Sequence, residues 1–367
     1  MATNITQLTP AFAIHPGEIL KDELMAREIT QKEFAALTGI PQTQLNEIIK
    51  GKRGIYADTA LLIAKALKMD AIVWTNLQTN YELDLAKLNA KNKARLEAIH
   101  IWQMMDDFIP VKFFKREKII SGNPIADIPV INSIYNIAHA EQLATLYSQP
   151  VYARFRKSDK LTVEKINVVG WTKLVAFKAT QQNVSAFNHR EEAALLTELN
   201  KLFEKNKNTV ASTTACLVAY GIKLVIQKHP EKCAVDGVSF WSNGNPAIGL
   251  PMRFNRIDNF AFTLMHELGH VFLHLLNNNT AQFIDVEEDT DGYKNSKEEK
   301  EADDFARDAL INKAEWNNFF NQTPVFDEAA ILKFARKQKL HPAIVKGRFM
   351  FETKDFKVRS NIKTAIE

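Results

Sequence analysis

The sequence predicts a multidomain protein with an all-α front, a helical middle and an α+β back. Three observations carry this. At 367 residues the chain is long enough for two or three domains. Its first two hundred residues or so read as helices separated by capping and breaking residues. Residues 216–227 and 236–250 bring together β-branched and aromatic residues with Gly and Asn turns, and helical patterns resume after them.

Taken in order, His15-Pro16-Gly17 precedes an amphipathic run over residues 18–27. Thr30 can cap a second helix, with Glu33 three residues on to complete a capping box. Gly39 breaks the chain, and Pro41 suits the first turn of a third helix that runs to about Lys50. After the turn Gly51-Lys52-Arg53-Gly54, Asp58 can cap a fourth helix through Leu67, and residues 71–81 read as a fifth. Residues 82–158 stay mostly helical, with breaks at Gly122-Asn123-Pro124 and Pro150, and residues 161–203 continue in that style. The strands expected over 216–250 lead to a long helix over residues 259–277. An acidic loop, residues 285–291, then opens a last set of helices.

Composition narrows the function classes. Hydrophobic residues make up 46% and charged residues 25%, the balance of an ordinary globular protein and not of a disordered chain. The two cysteines, Cys216 and Cys233, lie far apart, which excludes a disulfide scaffold and a cysteine zinc site and suits a reducing cytosol. No stretch approaches the roughly 18 apolar residues of a membrane span, and the first sixteen residues lack the pattern of a signal peptide. A cytoplasmic protein without a membrane partner is expected. The net charge of +4 permits nucleic-acid binding without arguing for it.

Residues 30–50 have helix-turn-helix proportions, with Leu37, Ile40, Leu45 and Ile48 where the two helices would pack. The second helix would enter the major groove and present Gln42, Thr43, Gln44 and Asn46 to base edges. Gln31, Lys50, Lys52 and Arg53 would take phosphates and set the register. The plainer alternative is a helical bundle with a solvated polar face. Charge does not decide between them, because residues 18–70 hold eight Lys/Arg against eight Asp/Glu.

The segments His15-Pro16-Gly17-Glu18-Ile19-Leu20, Thr30-Gln31, Phe34-Ala35, Gly39-Ile40-Pro41-Gln42, Gly51-Lys52-Arg53, Trp74 through Leu77-Gln78 and Tyr81-Glu82-Leu83 resemble the HigA-type antitoxins. Those belong to the Xre, lambda-repressor-like, helix-turn-helix proteins. The likeness spans residues 13–86 and implies a homodimer that binds operator DNA, usually its own, with a partner toxin as a possible companion. One departure is Glu47, where many Xre proteins carry a basic residue.

In the back half, His266-Glu267-Leu268-Gly269-His270 is H-E-x-x-H. Histidines four apart share one helix face and can grip one Zn²⁺, while Glu267 can act as general base toward a water at the metal. Apolar flanks on both sides suit a buried helix, and Gly269 removes a side chain near the metal. A third ligand is needed, and Glu298, Glu299, Glu301, Asp303 and Asp304 are the candidates downstream. Glu301, 31 positions after His270 on a second predicted helix, suits the gluzincin arrangement and is preferred, with Glu298 next. His274, another four residues along, reads as a packing histidine or one that supports a ligand. Tyr293 and His229 are weaker candidates for an oxyanion donor.

The run from Leu264 to His274, then Glu301-Ala302-Asp303, Phe305-Ala306 and Leu310-Ile311, is similar to the ImmA/IrrE metallopeptidases. So are Ile344-Val345, Gly347-Arg348, Asp236-Gly237 and Pro246-Ala247-Ile248, over residues 170–351 in all. Phe155-Arg156-Lys157-Ser158 and Trp171 resemble the connecting region of proteins that join an Xre domain to such a peptidase. Three regions follow: a helix-turn-helix domain over residues 1–86, a helical connector over 87–169 and a zincin-like metallopeptidase domain over 170–367. The resemblance implies cleavage of an Xre-type repressor, or of the chain itself, to derepress genes. The acidic loop is a candidate gate over the cleft. Two other readings stay open: a non-enzymatic repressor whose back domain senses a ligand or docks a protein, and a peptidase whose helix-turn-helix only docks a partner repressor.

Overall fold

The computed structural model describes residues 10–148, 162–233, 235–286 and 296–367. These form two compact units, within residues 1–100 and 101–367. The proposed gate beyond Val286, the segment Phe155-Arg156-Lys157-Ser158 and Tyr293 lie outside the described residues.

The front unit holds α1 (Pro16–Ala26), α2 (Gln31–Thr38), α3 (Gln42–Ile49), α4 (Ala57–Leu67) and α5 (Ala71–Leu88), followed by α6 (Ala90–Met105). Thr30 and Glu33 form the expected capping box at α2, and Gly39 ends that helix in the left-handed region at φ 72°. Two local expectations change. Pro41 is the N-cap of α3 and not its first residue. The N-cap of α4 is Tyr56, leaving Asp58 inside the first turn, where its charge still meets the positive end of the helix dipole. Leu20, Phe34, Ile40, Leu45, Ile48, Ile63 and Trp74 fill one core. Leu37 does not join it and is 66% exposed, because Phe34 is the buried residue of α2.

The second unit begins with α7 (Val111–Arg116), α8 (Pro124–Tyr135), α9 (Gln142–Leu146) and α10 (Val163–Thr180). A short 3₁₀ turn, α11 (Glu192–Lys205) and α12 (Thr209–Ala219) lead into β1 (Lys223–Ile226), β2 (Val235–Ser242) and β3 (Asn245–Leu250). Then come α13 (Ile257–Gly269), β4 (Gln282–Val286), α14 (Lys297–Leu310), α15 (Lys313–Gln322), α16 (Glu328–Gln338) and α17 (Pro342–Thr353). Residues 216–219, expected to open a strand, are helical, and the sheet starts only at Lys223. The buried face of α12, through Thr209, Thr213, Cys216 and Leu217, repeats at helical spacing and overrides the β-branched composition.

The sheet order is β1-β3-β2-β4. β1 runs parallel to β3, while β2 pairs antiparallel with both β3 and β4. Asn243 and Gly244, both at positive φ, make the tight turn between β2 and β3. Both faces are covered. Leu224, Ile248 and Leu250 share a core with Leu264 and Leu268 of α13. Val225, Val238, Ala247 and Ile284 share the other with Phe114, Tyr135, Trp171 and Val175, so helices from the middle of the chain are built into this unit. Among the described residues, no helix is long and apolar enough to cross a membrane.

Candidate functional site

In the front unit, the residues read as DNA contacts gather on and around α3. Gln42, Thr43, Lys50, Lys52 and Arg53 are exposed, and Gln31, Gln44 and Asn46 are half-buried. Arg53 is paired with Glu47, Nε to Oε2 at 3.1 Å, so the acidic departure at Glu47 draws on a cation expected for phosphate. The His15-Pro16-Gly17 motif fixes α3 from below. His15 caps α1 by accepting a hydrogen bond from the Gly17 N–H at 2.9 Å. A Cβ on Gly17 would stand 1.8 Å from the Ile48 carbonyl oxygen, so only glycine lets α1 begin against the end of α3. At the far end of the same motif set, Gln78 accepts from the Ile55 N–H and donates to Glu82, tying down the turn after α3.

The second unit builds a tighter cluster. α13 continues past Gly269 as a π-helical turn, His270–Leu275, a widening often found at functional sites. His266, Glu267 and His270 are buried. The two histidines face each other, Nε2 to Nε2, at 3.1 Å. Glu299 closes the triangle, with Oε2 3.2 Å from His266 Nε2 and Oε1 3.4 Å from His270 Nε2. The structure brings Glu299, and not the preferred Glu301, to this point. Glu301 points away, to His274 Nε2 at 3.1 Å and Lys297 at 3.4 Å, with 42% of its side chain exposed. Helix phase explains the swap. Glu299 and Ala302 lie on the buried face of α14, and Glu301 is off it. Glu298 is exposed as well.

The two helices meet closely because Gly269 has no side chain. A Cβ there would lie 3.0 Å from Ala302 Cα. The role of Gly269 is thus helix contact and not clearance at a metal. Ser296 caps α14 through the Glu299 N–H, which sets Glu299 in the first turn, where the helix dipole favours a carboxylate. At the other end Arg348 donates to the Arg307 and Ile311 carbonyls and lies over the Trp316 ring. Gly347 beside it lets α17 pack against Asp258 at the start of α13. The paired residues Gly347-Arg348 thus anchor both site helices.

The outer ring nitrogens are held too. Asp303 Oδ1 lies 3.0 Å from His266 Nδ1, and Arg307 holds the other oxygen of Asp303 at 2.7 Å. His270 Nδ1 meets His274 Nδ1 at 3.1 Å. Phe283 of β4 stacks on the His270 ring at 4.5 Å. Gly237 of β2 roofs Glu267, since a Cβ there would fall 2.0 Å from Oε1. Asp303, a candidate ligand by sequence, instead backs His266, and no local sequence signal marks the tasks of Phe283 and Gly237. His229, one oxyanion candidate, has Nδ1 against the Pro230 carbonyl oxygen at 2.6 Å.

Burial would depress His266, but Asp303 and Glu299 outweigh it and hold its pKa well above the ordinary value. Burial lowers His270 to about 4, against the pull of Glu299. For Glu299 burial acts upward, and the hydrogen bonds of the two histidines overcome it and keep the carboxyl below its usual range. Burial drives Glu267 well above the usual carboxylate range, with His266 opposing it and Asp285 and Glu299 adding to it. Among the described residues, neither Glu267 oxygen has a hydrogen bond of ordinary geometry. Two imidazole nitrogens and a carboxylate converging on one point must share a proton or a cation there. Among the described residues, His266, His270 and Glu299 are the group whose ligand atoms could hold a metal. Nitrogen, nitrogen and oxygen donors of this kind would suit zinc.

Comparison with known proteins agrees with both halves. Residues 20–73 match the helix-turn-helix family, and residues 219–348 match the IrrE N-terminal-like domain, a peptidase family. The chain joins a helix-turn-helix domain to an IrrE N-terminal-like domain. The helix-turn-helix part is 41% identical over 76 residues to virulence-associated protein I of Dichelobacter nodosus, covering 20% of this chain and 70% of that protein. Virulence-associated protein A' of the same organism is 34% identical over 90 residues, covering 24% of this chain and 75% of that one. An addiction module antidote protein of a HigA family from Coxiella burnetii is 36% identical, with a TM-score of 0.22, over 23% of this chain and 95% of that one. The Pseudomonas aeruginosa antitoxin HigA, solved with the higBA promoter, is 37% identical, with a TM-score of 0.22, over 23% of this chain and 91% of that one. The IrrE N-terminal-like match spans β1 to α17 and so contains the whole His266, Glu267, His270 and Glu299 cluster.

Proposed function

We propose that this protein is a cytoplasmic, operator-binding regulator whose IrrE N-terminal-like domain is a zinc-dependent endopeptidase acting on an Xre-type repressor or on the chain itself. The observation that carries the catalytic half is the convergence of His266, His270 and Glu299 beside a buried Glu267. His266 and His270 would hold the metal through Nε2, and Glu299 through its carboxylate. Zinc there supplies a Lewis acid for the scissile carbonyl and an acidified water. Glu267, its pKa raised by burial, is suited to take a proton from the attacking water and pass it to the leaving amine. Asp303, held by Arg307, keeps the proton of His266 on Nδ1 and its lone pair on Nε2.

The regulatory half rests on the helix-turn-helix match and on the exposed Gln42, Thr43, Lys50 and Lys52 around α3. A homodimer reading two half-sites about one helical turn apart, or a multiple of it, fits this arrangement. A partner toxin fits the antitoxin likeness of the same domain. Two measurements on one preparation test the proposal: footprinting on the gene's own promoter, and incubation with an Xre-type repressor, zinc-replete, against Glu267→Gln. A protected inverted repeat and cleavage lost in the variant are expected. Equal cleavage by Glu267→Gln, or no preferred DNA site, would overturn the corresponding half.

A further inference from the structure

The two metal-facing histidines are held from behind in different ways. His266 Nδ1 meets a carboxylate directly, that of Asp303. His270 Nδ1 meets another imidazole, His274 Nδ1, and the carboxylate stands one step further out, with Glu301 Oε2 at 3.1 Å from His274 Nε2. We propose that Glu301 and His274 form a positioning relay that fixes the tautomer of His270 so that its Nε2 lone pair faces His266 and Glu299. This rests on the metal-site reading above and gives Glu301 a task other than ligation.

With both imidazoles neutral, one proton placement is consistent. An ionised Glu301 only accepts, so His274 must carry its proton on Nε2 and donate it outward. His274 Nδ1 is then a lone pair and accepts. The proton between the rings must come from His270 Nδ1, which leaves His270 Nε2 bare and aimed at the shared point. Reversing the order would set a bare His274 Nε2 against carboxylate lone pairs at 3.1 Å and put a proton on the ligand nitrogen of His270. The rings have little freedom to escape this choice. His270 and His274 stand in the same π-helical turn, and Phe283 lies against both, at 4.5 Å and 5.2 Å. Glu301 reaches solvent and pairs with the exposed Lys297, which keeps its carboxyl below the usual range through the same contacts, His274 first.

The test uses the full chain. Zinc affinity is measured by competition with a chromophoric chelator, and the His270 tautomer by ¹⁵N–¹H correlation of histidine-labelled protein without metal. His274→Ala should weaken zinc binding about 10- to 100-fold, the usual effect of removing a partner behind a ligand. Glu301→Ala should weaken it less and mix the His270 tautomers. Glu301→Gln and His274→Gln each keep an acceptor oxygen and should restore the Nδ1–H form, a rescue that loss of mere packing would not give. Because Glu301 is on the surface, its variants report even if His274→Ala does not fold. Wild-type affinity and tautomer in both alanine variants would overturn the relay. So would loss of zinc in Glu301→Ala alongside full binding in Glu299→Ala, which would make Glu301 the ligand. A wild-type chain that takes up no zinc would sink the metal reading, and the tautomer spectra would still judge the relay separately.

Discussion

Replacing Gly237 with alanine probes how Glu267 is held. The new Cβ would stand 2.0 Å from Oε1, 2.8 Å from Cδ and 3.0 Å from Cγ of Glu267. Ordinary contact needs about 3.5 Å or more, so the carboxylate or the strand must give by roughly 1.5 Å. Glu267 is fully buried, and β2 is paired on both sides, so neither moves freely. Overpacking of this kind costs about 1–3 kcal/mol. At about 2–4 °C per kcal/mol for a unit of this size, the melting temperature should fall by roughly 2–12 °C. A base displaced by about 1 Å should lose around 100-fold in cleavage rate. Zinc content should stay unchanged, because Glu267 is not among the ligands. The assay is thermal unfolding, zinc per chain and cleavage of the repressor substrate on the same preparation. Wild-type melting and wild-type cleavage together would refute the idea that β2 sets the position of the base.

Other outcomes follow from the same geometry. Gly17→Ala should destabilise the front unit and weaken DNA binding, since its Cβ would meet the Ile48 carbonyl oxygen at 1.8 Å; far-UV melting of the chain and a mobility shift check this. Gln44→Ala should weaken a specific site more than random DNA, whereas Lys52→Ala should weaken both and lower the salt slope, as read from titrations at several salt concentrations. Burial pushes the Cys216 thiol up to about 11 and the Cys233 thiol to about 12. Native protein at pH 8 should therefore react slowly with a thiol reagent. The stability these neutral thiols give is intact below the ordinary thiol range and is lost as pH rises through it toward about 12.

The legible parts of the sequence were the ones with local causes. The Thr30–Glu33 box and the Gly39 stop depend on neighbours within a few residues, and both formed as expected. H-E-x-x-H was readable because four residues bring two side chains to one face of a helix. Choosing among Glu298, Glu299 and Glu301 was different. That choice depends on how α14 is rotated against α13, which Gly269 and Ala302 set across more than thirty residues of chain. β4 escaped notice for a similar reason, as its register with β2 rests on pairs such as Ser239 with Phe283 and not on its own composition. The task of Gly237 belongs to the same class, since it exists only once β2 lies over α13.

The central claim is that His266, His270 and Glu299 hold one metal ion. Elemental analysis of zinc-equilibrated, gel-filtered protein tests it most directly, on the wild type, His270→Ala, Glu299→Ala and Glu301→Ala in parallel. About one zinc per chain is expected in the wild type and in Glu301→Ala, with loss of the metal in the other two. A wild type without zinc, or a chain that keeps it in Glu299→Ala and loses it in Glu301→Ala, would contradict the account.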